Sequence, residues 1–216
     1  IISMVHNGII ENAHLLKEKL SQTYTFHSET DSEVIAHLFR NYIDQYQDPI
    51  TALRHTTCDL EGSFATAILS KLHPNKLFFS CYHSPLVIAI TDHGHYIASD
   101  HLALLHLSNQ FIYLKPYQHG YITIDSVYIY SEDGSKIEPQ IETVNIAPPQ
   151  ITQDISDHFM LKEIYEQPKI IQQQLNETNK QWNSNLLETL KDIDQIIIIG
   201  CGSSYHAGSV SYTHLR

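Results

Sequence analysis

Between Gly62 and Ile141 the apolar residues of this chain stop recurring every three or four positions and fall into short extended runs. Phe64–Leu69, Leu77–Ser80, Leu86–Ile90, Tyr96–Ser99, Phe111–Leu114, Tyr121–Ile124 and Val127–Tyr130 read as strands. Turn clusters divide them: His73-Pro74-Asn75, Asp92-His93-Gly94, Lys115-Pro116 and Glu132-Asp133-Gly134. Upstream the period is helical. Asn12 is placed to cap a helix through Leu15, Leu16 and Leu20, and Thr30-Asp31-Ser32-Glu33 fits a capping box in front of Val34, Ile35, Leu38, Phe39 and Tyr42. Pro49 opens a third helix through Ala52, Leu53 and Leu60. Between them Tyr24-Thr25-Phe26 reads as a short strand, and the chain opens on a strand-like run, Ile1-Ile2-Ser3-Met4-Val5, followed by a turn at His6-Asn7-Gly8. Helices first and a run of antiparallel strands afterwards define an α+β fold.

From Asn145 to Gln150 two prolines predict a linker, since proline denies both helix and central strand. Beyond it the pattern is helical over Phe159–Glu166, breaks at Pro168, and resumes over Ile170–Leu175 and Leu186–Leu190. Gln195-Ile196-Ile197-Ile198-Ile199 has the composition of a buried strand and leads into Gly200-Cys201-Gly202-Ser203-Ser204, the order of a first unit in a parallel α/β domain. A strand at the first residue and a βα unit near the last predict a piece of a longer protein.

Composition narrows the class. Of the 216 residues 42% are hydrophobic and 17% charged, which excludes a disordered chain. No apolar run reaches the ~18 residues needed to cross a bilayer. Lys and Arg total 13 against 24 Asp and Glu, a formal charge of -11, so nucleic acid and anionic membrane surfaces are poor partners. The three cysteines, Cys58, Cys81 and Cys201, form neither a CxxC nor a disulfide framework, and a reducing cytoplasm is the expected compartment.

Three constellations can carry chemistry. Asn7 and Gly8 offer a side-chain amide and a backbone N–H to one target, as an oxyanion would require; the alternative is a plain turn. Asp31 can bind a substrate ammonium, or sit in a first helical turn for the sake of the dipole. Ser203 and Ser204, after a glycine loop at a helix start, can donate to a phosphate, or the loop is only a tight βα turn. That loop matches neither GxGxxG nor the Walker pattern, so no nucleotide is implied. Cys201 has no base placed for it, and His93-Gly94-His95 lacks a third metal ligand. No cofactor and no metal is expected.

Taken together and in order, Val5-His6-Asn7-Gly8-Ile9-Ile10-Glu11-Asn12, Ser28 to Leu38, Leu60-Glu61-Gly62-Ser63-Phe64-Ala65, Ser84-Pro85-Leu86-Val87-Ile88, Ala98-Ser99-Asp100, Lys162 to Pro168 and Cys201-Gly202-Ser203-Ser204-Tyr205 resemble the family of glutamine:fructose-6-phosphate amidotransferases (isomerising), the glucosamine-6-phosphate synthases. The resemblance implies an N-terminal-nucleophile glutaminase, a four-layer αββα sandwich, over residues 1–144. Linker and helices follow over 145–185, and 186–216 open an α/β sugar isomerase domain. In that family an N-terminal cysteine attacks the glutamine amide, and the ammonia reaches fructose 6-phosphate to give glucosamine 6-phosphate. Asn7 and Gly8 then match the oxyanion hole, Asp31 the carboxylate on the glutamine ammonium, and Ser203 and Ser204 the phosphosugar loop. The implied substrates are glutamine and fructose 6-phosphate, and a homo-oligomer is expected. The nucleophile would lie upstream of Ile1, and the family's usual glycine before Ser84-Pro85 is His83 here. Two rivals remain: another glutaminase of the class, such as amidophosphoribosyltransferase, against which the Lys162–Pro168 and Cys201–Tyr205 segments argue, and a catalytically dead phosphosugar sensor.

Overall fold

The computed structural model describes residues 2–145, 159–181, 191, 193, 195 and 197–214. The chain divides into two compact units, residues 1–150 and 151–216.

In the first unit β1 (Ile2–Ile10) is followed by helices α1 (Ala13–Leu20), α2 (Asp31–Tyr46) and α3 (Pro49–Asp59). Strands β2 (Gly62–Ser70), β3 (Leu77–Tyr82), β4 (Val87–Thr91), β5 (Gly94–Ala98), β6 (Gln110–Tyr113), β7 (His119–Ile122), β8 (Val127–Tyr130), β9 (Lys136–Ile137) and β10 (Glu142–Thr143) come next. They form a six-stranded sheet, β1-β2-β3-β7-β8-β9, and a four-stranded sheet, β10-β6-β4-β5, antiparallel throughout.

Alternation along the strands sets the layers, since successive side chains point to opposite faces. Phe64, Ile68 and Phe78 pack against Leu16, Val34, Ile35, Leu38, Phe39 and Leu53 of the helices. On the opposite face Ala65, Phe79, Cys81, Ile122 and Ile129 meet Leu86, Ile88 and Ile112 of the small sheet. The outer face of the small sheet, Val87, Ala89 and Phe111, is covered by Leu104 and Leu105 beyond a 3₁₀ turn, His101–Ala103. Among the described residues the layers therefore run helix, sheet, sheet and a short 3₁₀ cover. The α+β expectation and the glutaminase layering hold.

Both crossings between the sheets nearest β3 turn on a left-handed residue. The chain leaves β3 at His83 (φ 59) to enter β4, and returns from β6 to β7 through Tyr117 (φ 62). The rings of His83 and Tyr117 pack on Tyr82, at centroid distances of 3.9 and 4.1 Å, and Tyr117 N–H donates to the Cys81 carbonyl at 2.9 Å.

Several local expectations are corrected. His6-Asn7-Gly8 is no turn: β1 runs straight through it, pairing Asn7 with Ala65 and Gly8 with Phe64. Gly8 supplies a φ of +122, and a Cβ there would lie 1.9 Å from the Ser63 carbonyl oxygen, so the close approach of β2 explains the glycine. Tyr24–Phe26 is not a strand; Tyr24 and Phe26 instead flank the His37 ring, at 4.9 and 4.6 Å. Asn12 does not cap α1, because its amide is committed elsewhere, donating to the Asp59 carbonyl and accepting from Glu61 N–H. Thr30 makes no side-chain cap to α2, while Glu33 reaches back beyond it to Ser28 and His27.

In the second unit helix α4 (Phe159–Gln181) continues through Pro168 where a break was expected, and α5 (Gly202–His214) follows. Residues 197–200 form no strand: among the described residues no neighbour pairs with them, and Ile199 is 93% exposed. The expected linker from residue 146 onward and the helix at 186–190 lie outside the described residues.

Candidate glutaminase site

Among the described residues β1 ends the large sheet and β5 ends the small one, and a cleft lies between the two sheets. A cavity of ≈ 280 Å³ lies there, lined by His6 and Asn7 of β1, Thr66 of β2, Leu86, and Ile97 and Ser99 at the end of β5. Alternation sends Val5, Asn7 and Ile9 to the face of β1 that looks toward the small sheet, where Val5 and Ile9 are about 70% exposed. Asn7 Nδ2 donates to Ser99 Oγ at 2.6 Å across the cleft.

His6 points the other way, toward the helix layer, and its side chain is almost wholly buried. Its Nδ1 lies 3.0 Å from Ser32 Oγ and 3.8 Å from Asp31 Oδ1. Burial pulls the imidazole below its ordinary pKa against the opposing pull of Asp31, so His6 is neutral in the site.

Asp31 starts α2, where the helix dipole favours a carboxylate. Its Oδ2 accepts from Ile10 N–H at 2.9 Å, which ties the helix start to the strand carrying Asn7 and Gly8. Oδ1, partly open to solvent, is left facing His6. Next to it Glu33 accepts from the Ser28 hydroxyl and the His27 and Ser28 N–H groups, and these bonds hold its carboxyl down at about 2.

The fold thus ties Asp31 to β1, the strand that also carries Asn7 and Gly8, through Ile10 N–H. Ser203 and Ser204 belong to the other compact unit, in the first turn of α5. His6, Ser32 and Ser99 were not singled out by residue type or spacing, although all three fall inside the motifs that carry the resemblance. Cys58 and Cys81 are poor nucleophiles. Burial raises Cys58 and pushes Cys81 up to about 12, and Cys81 Sγ donates to the Lys115 carbonyl. Among the described residues no cluster of three His, Cys, Asp or Glu side chains is placed to hold a metal, and no helix is long and apolar enough to cross a membrane.

Residues 2–106 match the family described as a glutamine amidotransferase domain. Among solved structures the chain is similar to the glutamine phosphoribosylpyrophosphate amidotransferase from B. subtilis, with a TM-score of 0.54 over 62% of this chain and 30% of that one, at 19% identity. It is also similar to an allosteric regulatory enzyme of purine biosynthesis, with a TM-score of 0.50 over 61% of this chain and 28% of that one, at 21% identity. Residues 2–106 are thus similar in sequence to glutamine amidotransferase domains, and the first unit shares its fold with amidotransferases of known structure.

Within that class the sequence is similar to particular proteins over nearly all its length. The isomerising glutamine–fructose-6-phosphate aminotransferase of Idiomarina loihiensis is 36% identical over 97% of this chain and 36% of its own length. Those of Fusobacterium nucleatum and Bacillus cereus are each 37% identical over 96% of this chain, and 35% and 36% of theirs. The chain spans little more than a third of the length of these curated relatives.

Proposed function

We propose that this chain is the glutaminase portion, and the opening of the first sugar isomerase domain, of an amidotransferase that converts fructose 6-phosphate and glutamine to glucosamine 6-phosphate and glutamate. The observation that supports the reading is the bond from Ile10 N–H to Asp31, a carboxylate tied to the strand that carries Asn7 and Gly8. In this reading Asp31 Oδ1 receives the α-ammonium of glutamine. The Asn7 amide and Gly8 N–H stabilise the oxygen of the tetrahedral intermediate as a thiolate adds to the side-chain carbonyl carbon. The C–N bond then breaks, ammonia leaves with the proton passed on by a base, and water cleaves the thioester to glutamate.

The thiolate comes from an N-terminal cysteine outside residues 1–216, whose α-amine serves as the base. The raised thiols of Cys58 and Cys81 support that assignment. Ser203 and Ser204 bind the sugar phosphate at the start of α5, the glutaminase covers residues 1–144, residues 145–185 connect, and 186–216 begin the isomerase. The complete protein is a cytoplasmic homo-oligomer, and the reaction calls on no cofactor. Identity of 36% to isomerising aminotransferases favours fructose 6-phosphate over a phosphoribosyl acceptor, for which the likeness is one of fold.

The experiment is glutamate release by residues 1–216, compared with the same chain extended upstream to a cysteine start and downstream to the length of its relatives. The short chain is expected to be inactive. The extended one should release glutamate and form glucosamine 6-phosphate in equal amounts. Glutamate release by the short chain that disappears on mutating Cys58, Cys81 or Cys201 would place the nucleophile inside it. An extended chain that binds fructose 6-phosphate without turning over glutamine would instead be a sensor.

A further inference from the structure

An oxyanion donor is effective when it is aimed before charge develops, because it then needs no reorganisation during the reaction. The Asn7 amide is poorly placed to aim itself. It stands on the face of β1 that looks toward the small sheet, between Val5 and Ile9, which are about 70% exposed. The terminal torsion of an asparagine is broad, with no deep staggered well to hold it. Among the described residues the side-chain amide is held by Ser99 Oγ, which accepts from Nδ2 at 2.6 Å across a separation of 92 residues.

Ser99 is itself fixed from both sides. Ala98 before it is locked to Val87 in the β4–β5 ladder. Asp100 after it caps the 3₁₀ turn, its Oδ1 accepting from Leu102 N–H at 2.9 Å. Cleft geometry completes the arrangement, since Asn7 and Ser99 line the same cavity from the two sheets. An amide nitrogen carries two hydrogens in one plane. With one of them bonded to a fixed acceptor, the plane of the amide is set and the direction of the second is set with it.

We infer that Ser99 is a positioning residue for glutamine hydrolysis: its hydroxyl oxygen holds one N–H of Asn7 so that the other is aimed at the oxygen of the tetrahedral intermediate. This rests on the oxyanion role proposed for Asn7. Ser99 touches no reacting atom in this scheme and acts through the asparagine alone. Its loss therefore affects the transition state and leaves the binding of glutamine, through its ammonium at Asp31, in place.

The test is glutaminase kinetics of the full-length protein and of Ser99→Ala, Ser99→Thr, Asn7→Ala and the Asn7→Ala/Ser99→Ala double variant. Ser99→Ala should lower kcat about tenfold, the size of one neutral hydrogen bond, with the glutamine KM changed less than about twofold. Ser99→Thr, which keeps the hydroxyl, should stay within about threefold of the parent. Asn7→Ala should lose about 10²–10³ in kcat, and adding Ser99→Ala to it should cost nothing more. A severe Asn7→Ala beside an unaltered Ser99→Ala would overturn the positioning role while leaving the oxyanion reading intact. So would multiplicative losses in the double variant, or a Ser99→Thr as damaged as Ser99→Ala. An Asn7→Ala with normal kcat would defeat the oxyanion reading itself and the inference with it.

Discussion

Asp31 has two oxygens with two different duties. Oδ2 is bound to Ile10 N–H, and Oδ1 is the one available to an ammonium. Asp31→Asn keeps an acceptor for Ile10 and removes the charge, so the fold should survive. In the full-length protein the glutamine KM should rise ten- to hundredfold, from the roughly 1.5–3 kcal/mol of a charge-assisted bond, with the sugar phosphate KM little changed. An unchanged glutamine KM would return Asp31 to a tie between helix and strand. Glu33 gives a prediction on pH. Its carboxyl is held at about 2 by the Ser28 hydroxyl and the neighbouring N–H groups, below the ordinary 4.5. A depressed folded pKa means that its stabilisation is complete above pH 4.5 and disappears as the pH falls to about 2. Thermal midpoints measured across that window should fall less steeply for Glu33→Gln than for the parent. Equal slopes would show that the three bonds to Glu33 do not survive in solution.

At the scale of elements the strands and their turns were legible, because alternation and Gly/Pro punctuation are local signals. Misreadings came where a distant partner decided. Asn-Gly reads as a turn until β2 comes within contact of Gly8. Asn12 reads as a cap until Asp59 and Glu61 claim its amide. Tyr24–Phe26 reads as a strand until its aromatic rings find His37. The candidate site divides in the same way: Asn7, Gly8 and Asp31 are suggested by motif and order, whereas Ser99 comes beside Asn7 and His6 beside Asp31 only once the chain is folded. His83 stands where the family's usual glycine is absent, and its φ of 59 gives the reason glycine would suit the corner. His83→Val should lower stability by about 1–2 kcal/mol, since a β-branched residue resists that conformation. His83→Gly should stay within about 1 kcal/mol of the parent, with the freed backbone and the lost contact to Tyr82 offsetting the relieved strain. Urea unfolding of the three proteins checks this, and a His83→Val as stable as His83→Gly would rule out a left-handed corner.

For the molecule as a whole, two compact units carry separate halves of the proposed chemistry, and damage to one should spare the other. In the full-length protein, Ser203→Ala with Ser204→Ala should raise the KM for fructose 6-phosphate about tenfold or more, two hydroxyl donors to a phosphate being lost. Glutamine hydrolysis measured without the sugar should change less than twofold. Equal loss of both activities would mean that the start of α5 holds up the fold rather than a phosphate.

The pairing of β1 also sets a timetable for synthesis. Ile10 waits for Gly62, and Ile2 for Ser70, before the β1–β2 ladder can form. At roughly 5–20 residues per second a ribosome needs several seconds to deliver β2 after β1 has been made. Through that interval the side of β1 that will face β2 stands unpaired, and Asn7 meets Ser99 later still. Long loops must close before either contact returns any free energy, so the end of the cleft that holds Asn7 and Ser99 forms among the last parts of the domain. A nascent chain stalled before Gly62 would therefore be the species that chaperones hold.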